Sequence, residues 1–306
     1  MAVATVSHPS SSPLGTALTL LGDMWTLRIV MWVFNGKRRF QDLRRTLSIS
    51  DPVLSRRLNA LVDDGILVTR EYQTNPPRRE YLLSDSGLDL WQVLVALWVW
   101  DRRWAGHRHR DAHTKIRHLA CGHLTRPVFG CAGCGAIGVN LRDVRGVIDD
   151  SLLHDTNPRR SRRSSSMTTP IDSAGVLGDR WSIFLLSDAF SGTRRFNDFQ
   201  QHLGISPVTL SQRLGLFVES GLMTREEIDG GKRQEYRLTL KALDFFDVTT
   251  TINGWAERWL SRDGASGLSL THIPCEQNLQ PQFTCNACNV PLRRNTIRFE
   301  GEITDL

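Results

Sequence analysis

Each half of this 306-residue chain contains one histidine and three cysteines at the same spacing. The two sets together include every cysteine of the sequence. Both patterns have the form His-x2-Cys-x9-Cys-x2-Cys. Their members are His118, Cys121, Cys131 and Cys134 in the first half and His272, Cys275, Cys285 and Cys288 in the second. Three thiolates and one imidazole suit a tetrahedral Zn²⁺ ion, and four protein ligands leave no position for a substrate. We therefore predict two structural zinc sites, one in each half.

Other interpretations of the cysteines stay open. Cys-x2-Cys pairs can form disulfides, so the modules could instead sense thiol redox state. The cysteines could also be reduced and carry no ligand. His123 competes with His118 for the fourth position, but only His118 has a counterpart, His272, in the second half. Because the complete four-ligand pattern occurs twice, zinc is the first hypothesis and redox sensing the second.

The repeat extends well beyond the cysteines and indicates a tandem duplication. A shift of 156 residues aligns the two halves of the chain over long stretches. Leu21-Gly22-Asp23-Met24-Trp25 aligns with Leu177-Gly178-Asp179-Arg180-Trp181, and Leu54-Ser55-Arg56-Arg57-Leu58 aligns with Leu210-Ser211-Gln212-Arg213-Leu214. With only two copies, each as long as a domain, the chain is not a solenoid.

Each copy is organised around one predicted helix, which runs from Ser50 to Gly65 in the first copy. Ser50 or the residue after it can cap the start, and Gly65 can end the helix in a left-handed turn. The apolar residues at i, i+4 and i+7 share one buried face; they are Leu54, Leu58 and Leu61. Arg56 and Asn59 point away from that face. A guanidinium and an amide on a free helix face fit the major groove of DNA.

The neighbouring segments complete a winged helix-turn-helix. A short helix is predicted over 40–46, and a hairpin with a basic tip follows over 67–83. A long helix from Ser84 to about Trp104, with a counterpart from Thr239 to about Trp259, is apolar nearly all round. One winged helix cannot bury such a helix alone. We therefore predict that it pairs with the equivalent helix of the other copy.

Both halves resemble the HxlR-type family of winged-helix transcriptional regulators, over roughly Leu14 to Trp104 and Ala174 to Trp259. The resemblance rests on Leu21-Gly22-Asp23-Met24-Trp25-Thr26-Leu27, Arg38-Arg39-Phe40-Gln41-Asp42-Leu43, Leu54-Ser55-Arg56-Arg57-Leu58, Gly65-Ile66-Leu67 and Pro76-Pro77-Arg78-Arg79-Glu80-Tyr81. Members are typically homodimers with one DNA-binding winged helix per subunit. The resemblance therefore implies a pseudo-dimer whose two DNA-binding units are joined in one chain. The second copy departs from the family pattern in two places. Its hairpin, which is the wing of the winged helix, lacks the Pro-Pro of the first copy, and Ala242 stands in place of Gly87.

The predicted fold class is α+β and mainly helical, with two tandem winged helix-turn-helix domains packed as an intramolecular pseudo-dimer and a small zinc-ribbon-like module after each. The predicted units are a first winged domain (14–106), a first Cys/His module (113–148), a linker (149–170), a second winged domain (171–263) and a second Cys/His module (268–306). The linker has few apolar residues and four arginines. Such a segment cannot bury enough surface to offset its ordering entropy.

The two copies differ at the outward positions of the central helix. Gln212 replaces Arg56, Gly215 replaces Asn59 and Thr209 replaces Val53. Arginine pairs best with guanine and glutamine with adenine, so we predict an operator whose half-sites differ. The arginines of the turns and wings are predicted to contact the DNA backbone. Arg57 and Arg213, nearer the edge of the leucine stripe, are predicted to form an intramolecular salt bridge or a phosphate contact rather than to read bases. The candidate DNA-binding residues are Arg38, Arg39, Val53, Ser55, Arg56, Arg57, Asn59, Arg78, Arg79, Arg194, Arg195, Thr209, Ser211, Gln212, Arg213, Lys232 and Arg233.

The composition of the chain agrees with a DNA-binding protein. The net charge is +6 and the pI about 9.3, which favours a polyanionic partner. No secretory signal or membrane-spanning run is apparent, so we expect a cytoplasmic protein without membrane contact. No catalytic motif is present, and an enzyme is not expected. The predicted function is a transcriptional regulator that acts as a repressor and binds double-stranded DNA as a monomeric pseudo-dimer, with room for further self-association. The alternative is a winged-helix module for protein interaction or thiol redox sensing.

Overall fold

The computed structural model describes residues 12–22, 24–104, 115–148, 176–177, 180–228, 230, 233–261 and 268–300. The predicted linker (149–170) and Lys232, at the tip of the second wing, lie outside the described residues. Within the described part, no single helix is long and apolar enough to cross a membrane. The bent pair Pro13–Leu21 and Trp25–Phe34 passes that test only when its two helices are taken together.

The first copy contains α1 (Pro13–Leu21), α2 (Met24–Phe34), α3 (Phe40–Leu47), α4 (Asp51–Asp63), β1 (Leu67–Thr74), β2 (Pro77–Leu83), α5 (Asp85–Asp89) and α6 (Trp91–Trp104). Its Cys/His module contains β3 (Lys115–His118), β4 (Leu124–Thr125), β5 (Val128–Cys131) and β6 (Val144–Ile148). A 3₁₀ turn over Leu141–Asp143 precedes β6.

The second copy repeats this order with α7 (Arg180–Phe190), α8 (Phe196–Leu203), α9 (Pro207–Glu219), β7 (Met223–Ile228), β8 (Arg233–Leu238), α10 (Leu240–Leu243) and α11 (Phe246–Leu260). Its Cys/His module contains β9 (Leu268–His272), β10 (Gln277–Asn278), β11 (Pro281–Thr284) and β12 (Ile297–Glu300). The succession of short helix, turn, second helix and hairpin in each copy is the predicted winged helix-turn-helix.

The central helix of each copy forms as the sequence predicts. In α4 the leucine stripe is buried, with Leu54 and Leu58 fully inaccessible. Gly65 has φ +72°, the left-handed conformation expected at the end of the helix. Ser50 occupies the N-cap position but its side chain makes no capping hydrogen bond. In α9 the equivalent Ser206 does cap, because its Oγ accepts the backbone N–H of Thr209 at 3.2 Å.

The wing is joined to the start of α3 by backbone hydrogen bonding. Strands β1 and β2 are antiparallel, with Leu67 opposite Leu83. The backbone N–H of Tyr81 donates to the carbonyl of Arg38 at 2.8 Å, and that of Tyr236 donates to Arg194 at 2.8 Å in the second copy. The basic turn before α3 or α8 is therefore held against its own wing.

The prediction of one continuous helix from Ser84 to Trp104 is wrong, because the helix breaks at Leu90, and the counterpart breaks before Phe246. The hydroxyl of Ser84 bonds to the carbonyls of Gly65 and Ile66 at 2.6 and 3.1 Å, which fastens the short helix α5 to the base of the wing. The following helix α6 packs against α11 of the other copy. The break lets α5 lie against the base of the wing while it also bonds to the other copy through Ser86 and Asp89.

Helices α6 and α11 form a reciprocal interface between the copies. The indole Nε1 of Trp100 donates to the backbone carbonyl of Lys241 at 2.9 Å, and that of Trp255 donates to the carbonyl of Ser86 at 2.8 Å. These four residues are two equivalent pairs of the duplication. Residues that exchange roles in this way define an isologous interface. The two copies thus contact each other through equivalent residues.

The same exchange recurs one helical turn later, around one aspartate of each copy. Asp244 Oδ2 accepts the indole N–H of Trp104 at 2.7 Å and pairs with Arg103 at 2.7 Å. Asp89 Oδ2 accepts the indole N–H of Trp259 at 2.8 Å and pairs with Arg258 at 2.5 Å. Helix α1 also packs on α11, so the apolar surface of the long helices is covered by the other copy.

We predict that Trp100→Ala lowers the free energy of unfolding by about 3–5 kcal/mol, the usual cost of truncating a buried tryptophan. Trp100 is only 1% exposed and packs edge-to-face on Phe245 of the other copy, with ring centroids 5.2 Å apart. Chemical denaturation measures the loss. Trp98→Ala is the matched control on the same helix, since Trp98 is half-buried, and its loss should be clearly smaller. Equal losses would contradict the central place of Trp100 in the interface.

Asp247, at the start of α11, should make stability depend on pH. Burial, with a smaller contribution from the carboxylate of Asp244, raises the pKa of Asp247 from 3.8 to about 8. The folded state then holds a proton that the unfolded state releases, so stability falls as pH rises from about 4 to about 8, by at most about 1.4 kcal/mol per pH unit.

We therefore predict that Asp247→Asn flattens this part of the stability curve. The variant should match the unchanged protein near pH 4 and exceed it in stability near pH 8. Urea denaturation at several pH values measures the effect. Parallel curves for the two proteins would show that Asp247 does not carry the protonation.

Candidate nucleic-acid interface and metal centres

The outward faces of α4 and α9 carry the residues that the sequence singles out. Arg56 and Asn59 are exposed on α4, and Ser211 and Gln212 are exposed on α9. The flanking candidates are half-buried; they are Val53, Ser55, Arg57, Thr209 and Arg213. The accessible positions therefore include those at which the two copies differ most, Arg56 and its counterpart Gln212.

The basic turns lie at the starts of α3 and α8, and their arginines are exposed. The guanidinium of Arg39 lies over the ring of Tyr72 on the wing, 4.6 Å from its centroid. Arg195 pairs with Glu235 of its own wing at 3.8 Å. One arginine of each turn is thus held against the wing. The other, Arg38 or Arg194, extends from the same turn.

The wings add further exposed arginines. Arg78 and Arg79 are on β2, and Arg233 begins β8. Several candidates form no ion pair with a carboxylate in the part of the chain that the structure describes; they are Arg38, Arg56, Arg78, Arg79 and Arg194. Their charge is available to a partner such as phosphate.

The second copy has a polar network that the sequence interpretation did not identify. Asp188 Oδ1 accepts the hydroxyl of Thr193 at 2.9 Å and lies 3.1 Å from His202 Nδ1. Burial raises the pKa of Asp188, while hydrogen bonds from Thr193 and His202 oppose that rise. The equivalent first-copy residues are Trp32, Lys37 and Thr46. Position-by-position comparison of the copies could have found this network, which ties the basic turn to α7 and α8.

The structure divides the eight metal-ligand candidates differently from the prediction. One group contains His118, Cys121, Cys285 and Cys288, and the other contains Cys131, Cys134, His272 and Cys275. The ligand atoms within each group all lie within 4.8 Å of one another. The prediction of one complete site in each copy is therefore wrong. Each group combines the His-x2-Cys pair of one copy with the Cys-x2-Cys pair of the other. In the first group the histidine is His118 and not His123.

The physical reason is that the strands of the two modules pair with each other. β3 pairs with β12, β5 with β11 and β6 with β9, all antiparallel. Phe129 lies opposite Phe283 in this pairing, and their buried rings are 5.6 Å apart. Modules of this size cannot bury an adequate core alone. Interleaving gives them a common core and places each Cys-x2-Cys pair beside the other copy's histidine.

The spacing of the ligand atoms fits a tetrahedral metal ion. His118 Nδ1 is 3.3 Å from the Sγ atoms of Cys121 and Cys288, and the Sγ atoms of Cys121 and Cys285 are 3.9 Å apart. Zinc with its usual bond lengths separates S from N by about 3.5 Å and S from S by about 3.8 Å. In the other group, His272 Nδ1 is 3.4 Å from Cys134 Sγ and 3.2 Å from Cys275 Sγ. All six cysteines are free thiols.

In each group the pKa of one cysteine is lowered, and its hydrogen-bond partners include a residue of the other copy. Burial raises the pKa of Cys285, but hydrogen bonds from the Thr125 hydroxyl and from the backbone of Ala287 and Cys288 outweigh it and lower the pKa to about 6. Burial also raises the pKa of Cys131, where backbone hydrogen bonds, first among them that of Gln280, bring it below its usual value. Thiolate is the form that binds metal. Both groups can therefore hold a metal ion.

Comparison with known proteins places this geometry in context. The model of the HxlR-like helix-turn-helix family matches residues 20–109 and 176–264, together more than half of the chain. Proteins named uncharacterized HTH-type transcriptional regulators in Mycobacterium tuberculosis and Mycobacterium bovis are 39% identical over 136 residues. The match spans 44% of this chain and 85% of each relative. Since most of such a relative matches less than half of this chain, it corresponds to one copy.

A further relative is named the uncharacterized HTH-type transcriptional regulator YvaP of Bacillus subtilis. It is 33% identical over 89 residues, which span 29% of this chain and 82% of that protein. Among solved structures, the crystal structure of PA1607 is 31% identical and has a TM-score of 0.38. The similarity covers 43% of this chain and 94% of that one.

Proposed function

The chain belongs to the HxlR-like helix-turn-helix family, and on that premise we propose that it is a sequence-specific DNA-binding transcriptional regulator that acts as a repressor. The observation that carries the proposal is the reciprocal packing of α6 and α11, which joins two winged helices in one unit. Each winged helix has an exposed polar helix face and a basic wing. The partner is double-stranded DNA, and the chain works as a monomeric pseudo-dimer.

We propose that the two copies read different half-sites. Arg56 suits guanine and Gln212 suits adenine, because each side chain matches the hydrogen-bonding edge of that base in the major groove. Asn59 and Val53 are likewise replaced, by Gly215 and Thr209. The operator is therefore asymmetric, with half-site centres about 10 bp, or a multiple of that, apart.

Residues around the reading helices hold the DNA backbone. Exposed arginines of the turns and wings contact phosphates; they are Arg38, Arg39, Arg78, Arg79, Arg194, Arg195 and Arg233, with Lys232 expected to join them. Half-buried Arg57 and Arg213 serve as phosphate contacts at the edges of the helices. Ser55 and Ser211, beside the reading residues, complete the contact surface. Such contacts set affinity and salt dependence rather than sequence preference.

We propose that each Cys/His group holds one structural Zn²⁺ ion. The support is the tetrahedral spacing of the donor atoms and the lowered pKa of Cys285 and Cys131. Four protein ligands would enclose the ion, so its role is to stabilise the fold. Because each group takes two ligands from either copy, zinc would fasten the two halves of the chain together.

Thiol redox sensing is the second candidate for these residues. Two observations favour it, the 3.9 Å separation of Cys121 Sγ and Cys285 Sγ and the pKa of Cys285 of about 6. The two candidates differ in what purified protein contains. Zinc predicts two metal ions per chain in reduced, freshly prepared protein, whereas the redox candidate predicts none.

Paired substitutions test both the zinc and the cross-copy grouping of its ligands. Cys121→Ser with Cys285→Ser removes two ligands of one group, so the protein should keep one zinc ion per chain. Cys121→Ser with Cys131→Ser removes one ligand from each group, so both ions should be lost. Zinc is measured by mass spectrometry after dialysis against a weak chelator, and circular dichroism checks folding. The reverse result would restore the within-copy grouping, and zinc-free unchanged protein would favour the redox candidate.

Operator mapping followed by base substitution tests the asymmetric reading. Arg56→Ala should weaken binding about 5- to 150-fold and relax base preference in one half-site only, as expected for losing one bidentate contact. Gln212→Ala should do the same in the other half-site. Arg142→Ala, which removes an exposed arginine of the first Cys/His module, is the control and should leave the preference unchanged. A perfect palindrome bound with equal half-site affinities would refute the asymmetry.

A further inference from the structure

A cavity of about 520 Å³ lies beside α6, outside both the reading helices and the metal-ligand groups. Its described walls are Trp98, Val99, Arg102, Arg103 and Arg126. This volume lies within the range of sites that enclose small organic ligands. An indole and an isopropyl group form the apolar part of the wall, and three guanidinium groups form the polar part.

Two of the three arginines have no acidic partner in the described part of the chain. Arg103 is committed to the interface, because it pairs with Asp244 at 2.7 Å. Arg102 stacks over Trp98, 5.4 Å from the ring centroid, and neither Arg102 nor Arg126 pairs with a described carboxylate. A wall with two such cations next to an apolar surface is suited to an anion with an apolar body.

The second copy has not kept this wall. Asn253, Gly254, Glu257 and Gln280 stand where the first copy has Trp98, Val99, Arg102 and Arg126. A Cβ atom on Gly254 would lie 3.1 Å from Cγ of Pro281, so the proline fills that space. Asn253 uses its amide to bond the carbonyl of Leu268 at 2.9 Å. At two of the four replaced positions, the second copy therefore places its own atoms against the residue that replaces the wall.

The interface residues next to this wall are the same in both copies. Tryptophans occur at 100 and 255 and at 104 and 259, and arginines at 103 and 258. Arg103 alone belongs both to the wall and to the interface. The divergence is therefore concentrated in wall residues whose side chains form no described hydrogen bond or ion pair with the other copy, although the backbone N–H of Arg126 does donate to it. Apart from Arg103, the side chains that line the cavity are therefore different from the side chains that bond the two copies together.

We propose that the cavity binds one small aromatic carboxylate per chain. Arg102 and Arg126 receive the carboxylate, and Trp98 and Val99 pack against the ring. Two wall residues are themselves bonded to the second copy, since the backbone N–H of Arg126 donates to Asn286 at 2.8 Å and Arg103 pairs with Asp244. Binding of the carboxylate in this cavity does not depend on DNA recognition.

Isothermal titration of the full-length protein with 1-naphthoate tests the proposal. Saturable binding at one site per chain is expected. Arg102→Gln and Arg126→Gln should each weaken it by about tenfold or more, because each removes a charge-assisted hydrogen bond. Arg142→Gln should bind naphthoate as the unchanged protein does. Neutral 1-naphthamide should bind at least about tenfold more weakly than the carboxylate.

A double substitution that installs second-copy residues, Trp98→Asn with Arg102→Glu, should abolish binding while thermal unfolding remains cooperative. Arg126→Gln alters an exposed side chain and keeps the test valid if the double variant fails to fold. Absence of saturable naphthoate binding would overturn the proposal. Unchanged affinity in Arg102→Gln and Arg126→Gln, or equal affinity for the amide, would overturn it as well.

Discussion

The reciprocal contact between α6 and α11 is the interaction on which the rest of the structure depends. These helices are too apolar for one winged domain to bury, and each is covered by the other copy. The indoles of Trp100 and Trp255 fix the register, because each has one buried N–H group that needs an acceptor on the opposite copy. Once this register is set, the positions of both winged helices follow.

The same contact brings the Cys/His modules together. Each module follows its long helix in the chain, so pairing of the helices places the modules side by side. Their strands then interleave, and the buried rings of Phe129 and Phe283 meet in a common core. A metal ion bound by two ligands from either copy would add its binding energy to the association of the halves. In one chain that association is intramolecular and independent of protein concentration.

Local features of the fold were predictable from sequence, whereas the partners of each element were not. The leucine stripe of α4 and the left-handed Gly65 follow from helical periodicity and glycine geometry. The break at Leu90 depends on two tertiary partners, the base of the wing and the other copy. Ligand spacing has the same limitation. His-x2-Cys and Cys-x2-Cys each define half a site, and nothing in the spacing states which halves combine.

The exposed positions of the candidate DNA interface were also predictable from sequence. Once the buried leucine positions of α4 and α9 are known, helical geometry gives the positions on the opposite face. The network of Asp188, Thr193 and His202 was missed, since it depends on the packing of two successive helices and the turn between them, and its residue types are not repeated in the first copy. The wall of the cavity beside α6 was missed for a related reason. Trp98 and Val99 belong to an apolar run that was assigned to the helix pairing as a whole.

Duplication within one chain changes which residues are free to differ. In a homodimer every substitution occurs on both sides of the two-fold axis, so a residue cannot serve one half-site only. Here the tryptophans, arginines and aspartates that exchange partners across the interface remain paired, because a change on one side would leave a buried donor or a charge without its partner. Residues outside that exchange carry no such restriction. The differences at Arg56 and Gln212, and at Arg102 and Glu257, fall in this second class, and they give one pseudo-symmetric scaffold two unlike faces.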